Sequence, residues 1–81
     1  MNLIDFVNTE GPNIWRDKHL EESRAKMHRF GEFKGIGFKE ISEVTARDIH
    51  AFSLHLLDVG LSENTVNHYK AAISAILKHA L

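Results

Sequence analysis

The apolar residues of this chain recur at three- and four-residue intervals, the spacing of helices with one buried side. Over 62–80, Val66, Tyr69, Ile73, Ile76 and Leu77 follow that spacing, and over 45–59 so do Ile49, Phe52, Leu56 and Val59. Both segments open alike. Thr45 precedes Ala46, Arg47 and Asp48, so its hydroxyl can accept from a free backbone N–H while Asp48 sits at the positive helix end, and Val44 can staple to Ile49. Ser62 repeats the pattern, with Glu63 in the first turn and Leu61 paired to Val66. Gly60, between the two, is suited to end the earlier helix in a left-handed conformation.

The first half of the chain is less regular. Leu3, Ile4, Phe6 and Val7 predict a short opening helix, which Thr9-Glu10-Gly11-Pro12-Asn13 should end in a turn. With Asn13 as N-cap, Leu20, Met27 and Phe30 share one face, with Trp15 and Phe33 at its margins, and predict a long helix to Phe33. Ser23, after Glu21 and Glu22, is an alternative cap for a shorter helix starting near Arg24. Gly35 and Gly37 each cost about 1 kcal/mol relative to Ala inside a helix. The stretch from Gly35 to Ile41 is therefore expected to be a linker that buries Ile36, Phe38 or Ile41. The reading is all-α: a small four-helix bundle without a sheet.

Composition narrows this further. The chain has 81 residues, 43% of them apolar, and no Cys, which suits a single domain over 1–81 and excludes a disulfide scaffold, a thiolate zinc site and a cysteine nucleophile. No apolar run approaches the roughly 18 to 20 residues that span a bilayer, and the start lacks the basic flank of a signal peptide, so no membrane partner and a cytoplasmic location are expected. The formal charge of −1 argues on its own against a polyanionic partner. The distribution argues otherwise. Trp15 to Lys34 holds six cations against four anions, Glu40 to Asp58 holds one against four, and the stretch from Ser62 onward has Lys70 and Lys78 against Glu63 alone. His19, His28, His68 and His79 fall in the less acidic stretches, so a folded domain can present one basic face.

Nothing in the sequence supports catalysis or a cofactor. Gly35-Ile36-Gly37 lacks the third Gly and the strand-to-helix setting of a dinucleotide fingerprint, and no phosphate loop or nucleophile elbow occurs. His50 and His55 are five residues apart and fall on different helix faces as boundary residues. His68 and His79 are separated by roughly 16 Å along a helix, too far to share an ion, so no metal site is expected.

On the last helix Asn67, Lys70, Ala71, Ser74 and Lys78 form a second line opposite the apolar one, made of small, polar or cationic side chains. This line follows a run of motifs: Ile41-Ser42-Glu43-Val44-Thr45-Ala46-Arg47-Asp48-Ile49-His50-Ala51-Phe52, then Leu56, then Gly60-Leu61-Ser62-Glu63-Asn64-Thr65-Val66-Asn67-His68-Tyr69, then Ala72-Ile73-Ser74-Ala75-Ile76-Leu77-Lys78-His79-Ala80. Their order and spacing resemble the N-terminal, sterile-alpha-motif-like (SAM-like) core-binding domain of the tyrosine recombinases, or phage integrases. Ser23 to Phe33 is similar to the preceding helix of that family, so the resemblance runs from about Ser23 to Ala80.

The resemblance implies a SAM-like bundle that binds double-stranded DNA as one arm of a clamp used in site-specific recombination and DNA integration. The other arm is the catalytic domain, whose Arg, His and Tyr residues cleave the strand and which this chain lacks. The chain would be a fragment that binds without cutting, monomeric in isolation, its partners the duplex and the parent's catalytic domain. The residues implied to meet DNA are Arg24, Lys26, His28 and Arg29 from the long helix and Asn64, Asn67, Lys70, Ser74 and Lys78 from the last. The alternative is a small helical protein–protein interaction module whose polar line and basic patch meet an acidic partner.

Overall fold

A computed structural model describes residues 1–80; Leu81, the last residue of the expected domain, lies outside the described residues. The described residues form four α-helices, α1 (Leu3–Ile14), α2 (Asp17–Glu32), α3 (Ala46–Asp58) and α4 (Glu63–Ala80), with two short 3-10 turns, Phe33–Phe38 and Ile41–Glu43, between α2 and α3. They include no strand; a single antiparallel bridge joins Asn2 to Glu40. The architecture is the small all-α bundle expected.

The C-terminal half folds as its sequence indicates. The Asp48 N–H donates to the Thr45 hydroxyl, and the Asp48 carboxylate accepts from the Thr45 N–H, completing a capping box. Gly60 takes φ +99°, its N–H reaches the Leu57 carbonyl at 3.1 Å, and the Leu61 N–H reaches the Leu56 carbonyl at 3.1 Å. That pair of bonds is a Schellman end, which requires the left-handed residue that Gly supplies. Ser62 then caps α4, its hydroxyl accepting from the Thr65 N–H at 3.2 Å. Val59 departs from the expected stripe: it is half exposed, because α3 has ended at Asp58.

The N-terminal half departs from its sequence reading at three points. Gly11 and Pro12 do not end the first helix, which continues through both to Ile14. Leu3, Val7 and Gly11, spaced by four, are all buried, so one continuous helix puts its whole edge inside, while Pro12 withholds a single N–H near the helix end. Asn13 is consequently a residue of α1 and not the cap of α2. The break falls instead at Trp15 and Arg16, both extended, followed by Asp17 at φ +53°; this corner turns the Trp15 ring into the core. Ser23 is no cap either: it is buried within α2.

The linker expected from Gly35 to Ile41 runs from the first to the second of the two turns that follow α2, which ends at Glu32 one residue short of Phe33, and it buries Ile36, whereas Phe38 is 84% exposed and Ile41 half-buried. Lys34 and Gly35 both take positive φ as the chain leaves α2. The turn then packs against α1 at close range. A methyl group at Gly31 would lie 2.7 Å from Ile4 Cδ1, and one at Gly37 would lie 2.5 Å from Ile4 Cγ1, so Ile4 fills the space that side chains at both glycines would need. The Leu3 N–H donates to the Lys39 carbonyl at 2.9 Å and holds the start of α1 to this segment.

The core runs from Leu3 and Val7 of α1, through Met27 and Phe30 of α2 and Ile36, to Phe52 and Leu56 of α3 and Val66, Ile73 and Ile76 of α4. Phe52 is its aromatic centre, with ring centroids 5.1 Å from Phe30, 5.5 Å from Phe33 and 5.8 Å from Tyr69 in tilted or edge-on contacts.

Candidate nucleic-acid interface

Because Val66, Ile73 and Ile76 are buried, the opposite side of α4 faces solvent: Asn64, Asn67, Lys70, Ala71, Ser74 and Lys78 are all exposed. This ridge runs between two grooves. On its α3 side the lining residues are His50, Ser53, Leu54, Leu57, Glu63, Val66, Asn67 and Lys70. On its α2 side Trp15, His19, Glu22, Ser23 and Lys26 face His68, Ala71, Ala72 and Ala75. The small residues are the reason this second groove exists: Ser23 and Ala72 are buried where α2 meets α4, and Ala71 and Ala75 raise no side chain to fill it. A shallower hollow lined by Lys26, Asn64, Thr65 and His68 continues it.

The residues expected on α2 separate. Lys26 and Arg29 turn toward α4, where the Lys26 ammonium lies 5.9 Å and the Arg29 guanidinium carbon 5.8 Å from the centre of the Tyr69 ring. Arg29 also donates to the Tyr69 hydroxyl at 3.2 Å. Arg24 leans the other way, its guanidinium 3.4 Å from the Asn8 side-chain oxygen on α1. His28, four residues on, shares that side of the helix. So the structure brings Lys26 and Arg29 to the α4 ridge and leaves Arg24 and His28 on the α1 side. Tyr69, read from sequence as a core residue, is half-buried, with its ring on Phe52 and its hydroxyl at the surface beside Arg29.

Two residues of the α2 groove, His19 and His68, were not singled out as contacts by the sequence reading. The signal was present, since His19, Glu22 and Lys26 follow the three-and-four spacing of one helix edge. Which helix that edge would face was not encoded locally. His79 takes another role: its Nε2 lies 3.2 Å from Glu10 Oε2, tying the end of α4 to α1. The amide of Asn13 and the ring of His79, both bonded to Glu10, hold its carboxyl below the usual range. His50 and His55 are exposed on α3, with the His55 ring tilted against that of Phe33 at a centroid distance of 5.0 Å.

Among the described residues no three His, Asp or Glu side chains are grouped as metal ligands would be. No helix among them is long and apolar enough to cross a membrane. Comparison of the chain with protein-family models, with curated proteins and with solved structures finds no match.

Proposed function

We propose that this chain is a duplex-DNA-binding domain of the tyrosine recombinase type, one arm of a clamp whose other arm brings the catalytic residues. The observation that carries this reading is the α4 ridge, where Asn64, Asn67, Lys70, Ser74 and Lys78 share the solvent side of one helix. Amide, hydroxyl and ammonium groups on such a ridge donate to phosphates and base edges, and Ala71 with the short Ser74 lets the helix enter a major groove about 12 Å wide. Lys26 lines the adjoining groove and Arg29 stands beside it on Tyr69, where both can neutralise flanking phosphates. The domain binds without cutting, since it offers no nucleophile with a partnered base.

A second reading, a helical protein-interaction module, is favoured by one observation: Leu54, Leu57 and Val59 are 53%, 41% and 51% exposed toward the end of α3. Titration of a fluorescent duplex over a range of salt concentrations separates the two. Lys70→Glu should weaken binding at every DNA sequence and make log affinity against log salt shallower by about 1, while changing stability by no more than about 0.5 kcal/mol. Ile73→Glu is the folding control: Ile73 is fully buried, and an unpaired carboxylate there should unfold the domain. If amide shifts on adding duplex miss both the α4 ridge and Arg24 to Arg29, or Lys70→Glu binds as the parent does, the groove-facing assignment falls and the interaction-module reading replaces this one.

A further inference from the structure

We infer that the groove between α2 and α4 holds one backbone phosphate of the bound duplex, gripped by Lys26 together with the protonated imidazole of His68, with a protonated His19 adding charge from the far end of the groove, so that DNA binding is gated by pH. The inference rests on the duplex-binding reading and adds to it a ligand subsite and its regulation.

The groove has the form such a site needs. Its floor is small or apolar, with Ser23, Ala71, Ala72 and Ala75 between the helices and Trp15 at one end. Three side chains lining it can carry a positive charge: His19 and Lys26 from α2 and His68 from α4. Lys26 and His68 also line the adjoining hollow with Asn64 and Thr65, so they stand where the two depressions meet, beside the polar end of the ridge. A phosphate there can meet the Lys26 ammonium, the His68 imidazole and the neighbouring Asn64 amide and Thr65 hydroxyl without crossing the ridge, while His19, seven residues from Lys26 on α2 and so roughly 10 Å along the helix, lines the far end of the groove.

Charge makes the site conditional. Imidazole is the side chain whose charge ordinarily changes between pH 5 and 8. With both imidazoles neutral, Lys26 is offset by Glu22 on the same rim, and the groove carries no net charge. Protonation of His19 and His68 leaves it with a net charge of two positive units. The His68 imidazolium then makes a charge-assisted bond to the phosphate, roughly twice as strong as a neutral one, and His19 adds attraction along the groove. No other charged residue lines either depression: Glu63 and Lys70 line the α3 groove, and Arg29 is engaged with Tyr69. Trp15 and α1 supply no charge to the lining. The remaining histidines lie elsewhere, His28 on the α1 side of α2, His50 and His55 on α3, and His79 against Glu10. A chain of formal charge −1 thereby gains positive charge at its proposed DNA face as pH falls.

The test measures duplex binding by fluorescence anisotropy at constant ionic strength, near pH 5.8 and near pH 7.8. The parent should bind about tenfold more tightly at the lower pH, with a salt dependence steeper by about 1 for each imidazolium engaged. His19→Gln with His68→Gln should remove most of that difference, whereas His50→Gln should keep it. His68→Lys should bind well at both pH values, a rescue that a merely structural role for His68 would not give. Circular dichroism checks that each variant is folded. Equal parental affinity at both pH values, or a difference that survives in the double variant, overturns the inference and leaves the duplex reading standing. Absence of duplex binding at either pH overturns both. Finally, the ring resonances of His19 and His68 should shift with duplex; if inorganic phosphate alone saturates the shift and duplex leaves the rings unmoved, the groove takes a free phosphate and not the DNA backbone.

Discussion

The two ends of the core are held together by opposite means. Around Phe52 the structure is made by large side chains: Phe30, Phe33 and Tyr69 close on one ring from α2, the following turn and α4. Around Ile4 it is made by missing ones, since α1 approaches the end of α2 and the first 3-10 turn only because Gly31 and Gly37 carry no side chain. The two regions therefore fail differently, the first when atoms are removed and the second when they are added. α2 belongs to both, with Arg24 on its α1 edge and Lys26 on its α4 edge, so either failure would disturb the proposed binding groove.

The largest effect expected is at the aromatic centre. Phe52→Ala should destabilise the domain by about 3–5 kcal/mol, as truncating a buried ring does elsewhere, and urea denaturation followed by circular dichroism measures it. A loss below about 1 kcal/mol would mean that the rings around Phe52 collapse into the space, and the contrast between the two regions would weaken.

Next comes the glycine notch. Gly37→Ala should cost about 1–3 kcal/mol by overpacking against Ile4 Cγ1, and it should cost less in an Ile4→Ala background, which lacks that carbon, a coupling visible in a double-mutant cycle. Gly11→Ala is the internal control: its added methyl would meet Leu20 Cδ1 at 3.5 Å, ordinary contact distance, so the substitution should stabilise α1 by about 0.5–1 kcal/mol. If Gly37→Ala were equally benign, the close approach at Ile4 would not be structural.

The smallest effect tests the aromatic half through its cap. Partial burial pushes the Asp48 carboxyl up, but the Thr45 N–H, the Lys39 ammonium at 2.9 Å and the Thr45 hydroxyl outweigh it, and the pKa falls below the ordinary value. A carboxyl depressed in the folded state contributes stability that is present above its unfolded pKa and is lost as pH falls through the folded one. Asp48→Asn should therefore cost about 1 kcal/mol near neutral pH and flatten the acid limb of stability below about pH 4. An unchanged acid limb would assign acid sensitivity to other carboxyls.

How much of this was legible in the sequence follows the range of the forces involved. Thr45, Ser62 and Gly60 announced their helix ends because capping and left-handed φ are settled within about four residues. The apolar stripes of α3 and α4 likewise gave the all-α class and the solvent side of α4, and with it Asn64, Asn67, Lys70, Ser74 and Lys78. Local preference misled where burial outweighed it. Gly11-Pro12 reads as a turn, yet Leu3, Val7 and Gly11 gain more by lying on one continuous buried edge, and Asn13 loses its place as a cap with them. Val59 kept the spacing of the stripe but lay past the end of its helix. Three features required distant segments to meet: Ile4 between Gly31 and Gly37, the division of α2 into an Arg24 side and a Lys26 side, and the groove that His19 and His68 line from different helices. Period and propensity describe one helix at a time, whereas these depend on which helix packs against which edge, and that is decided by filling a common core.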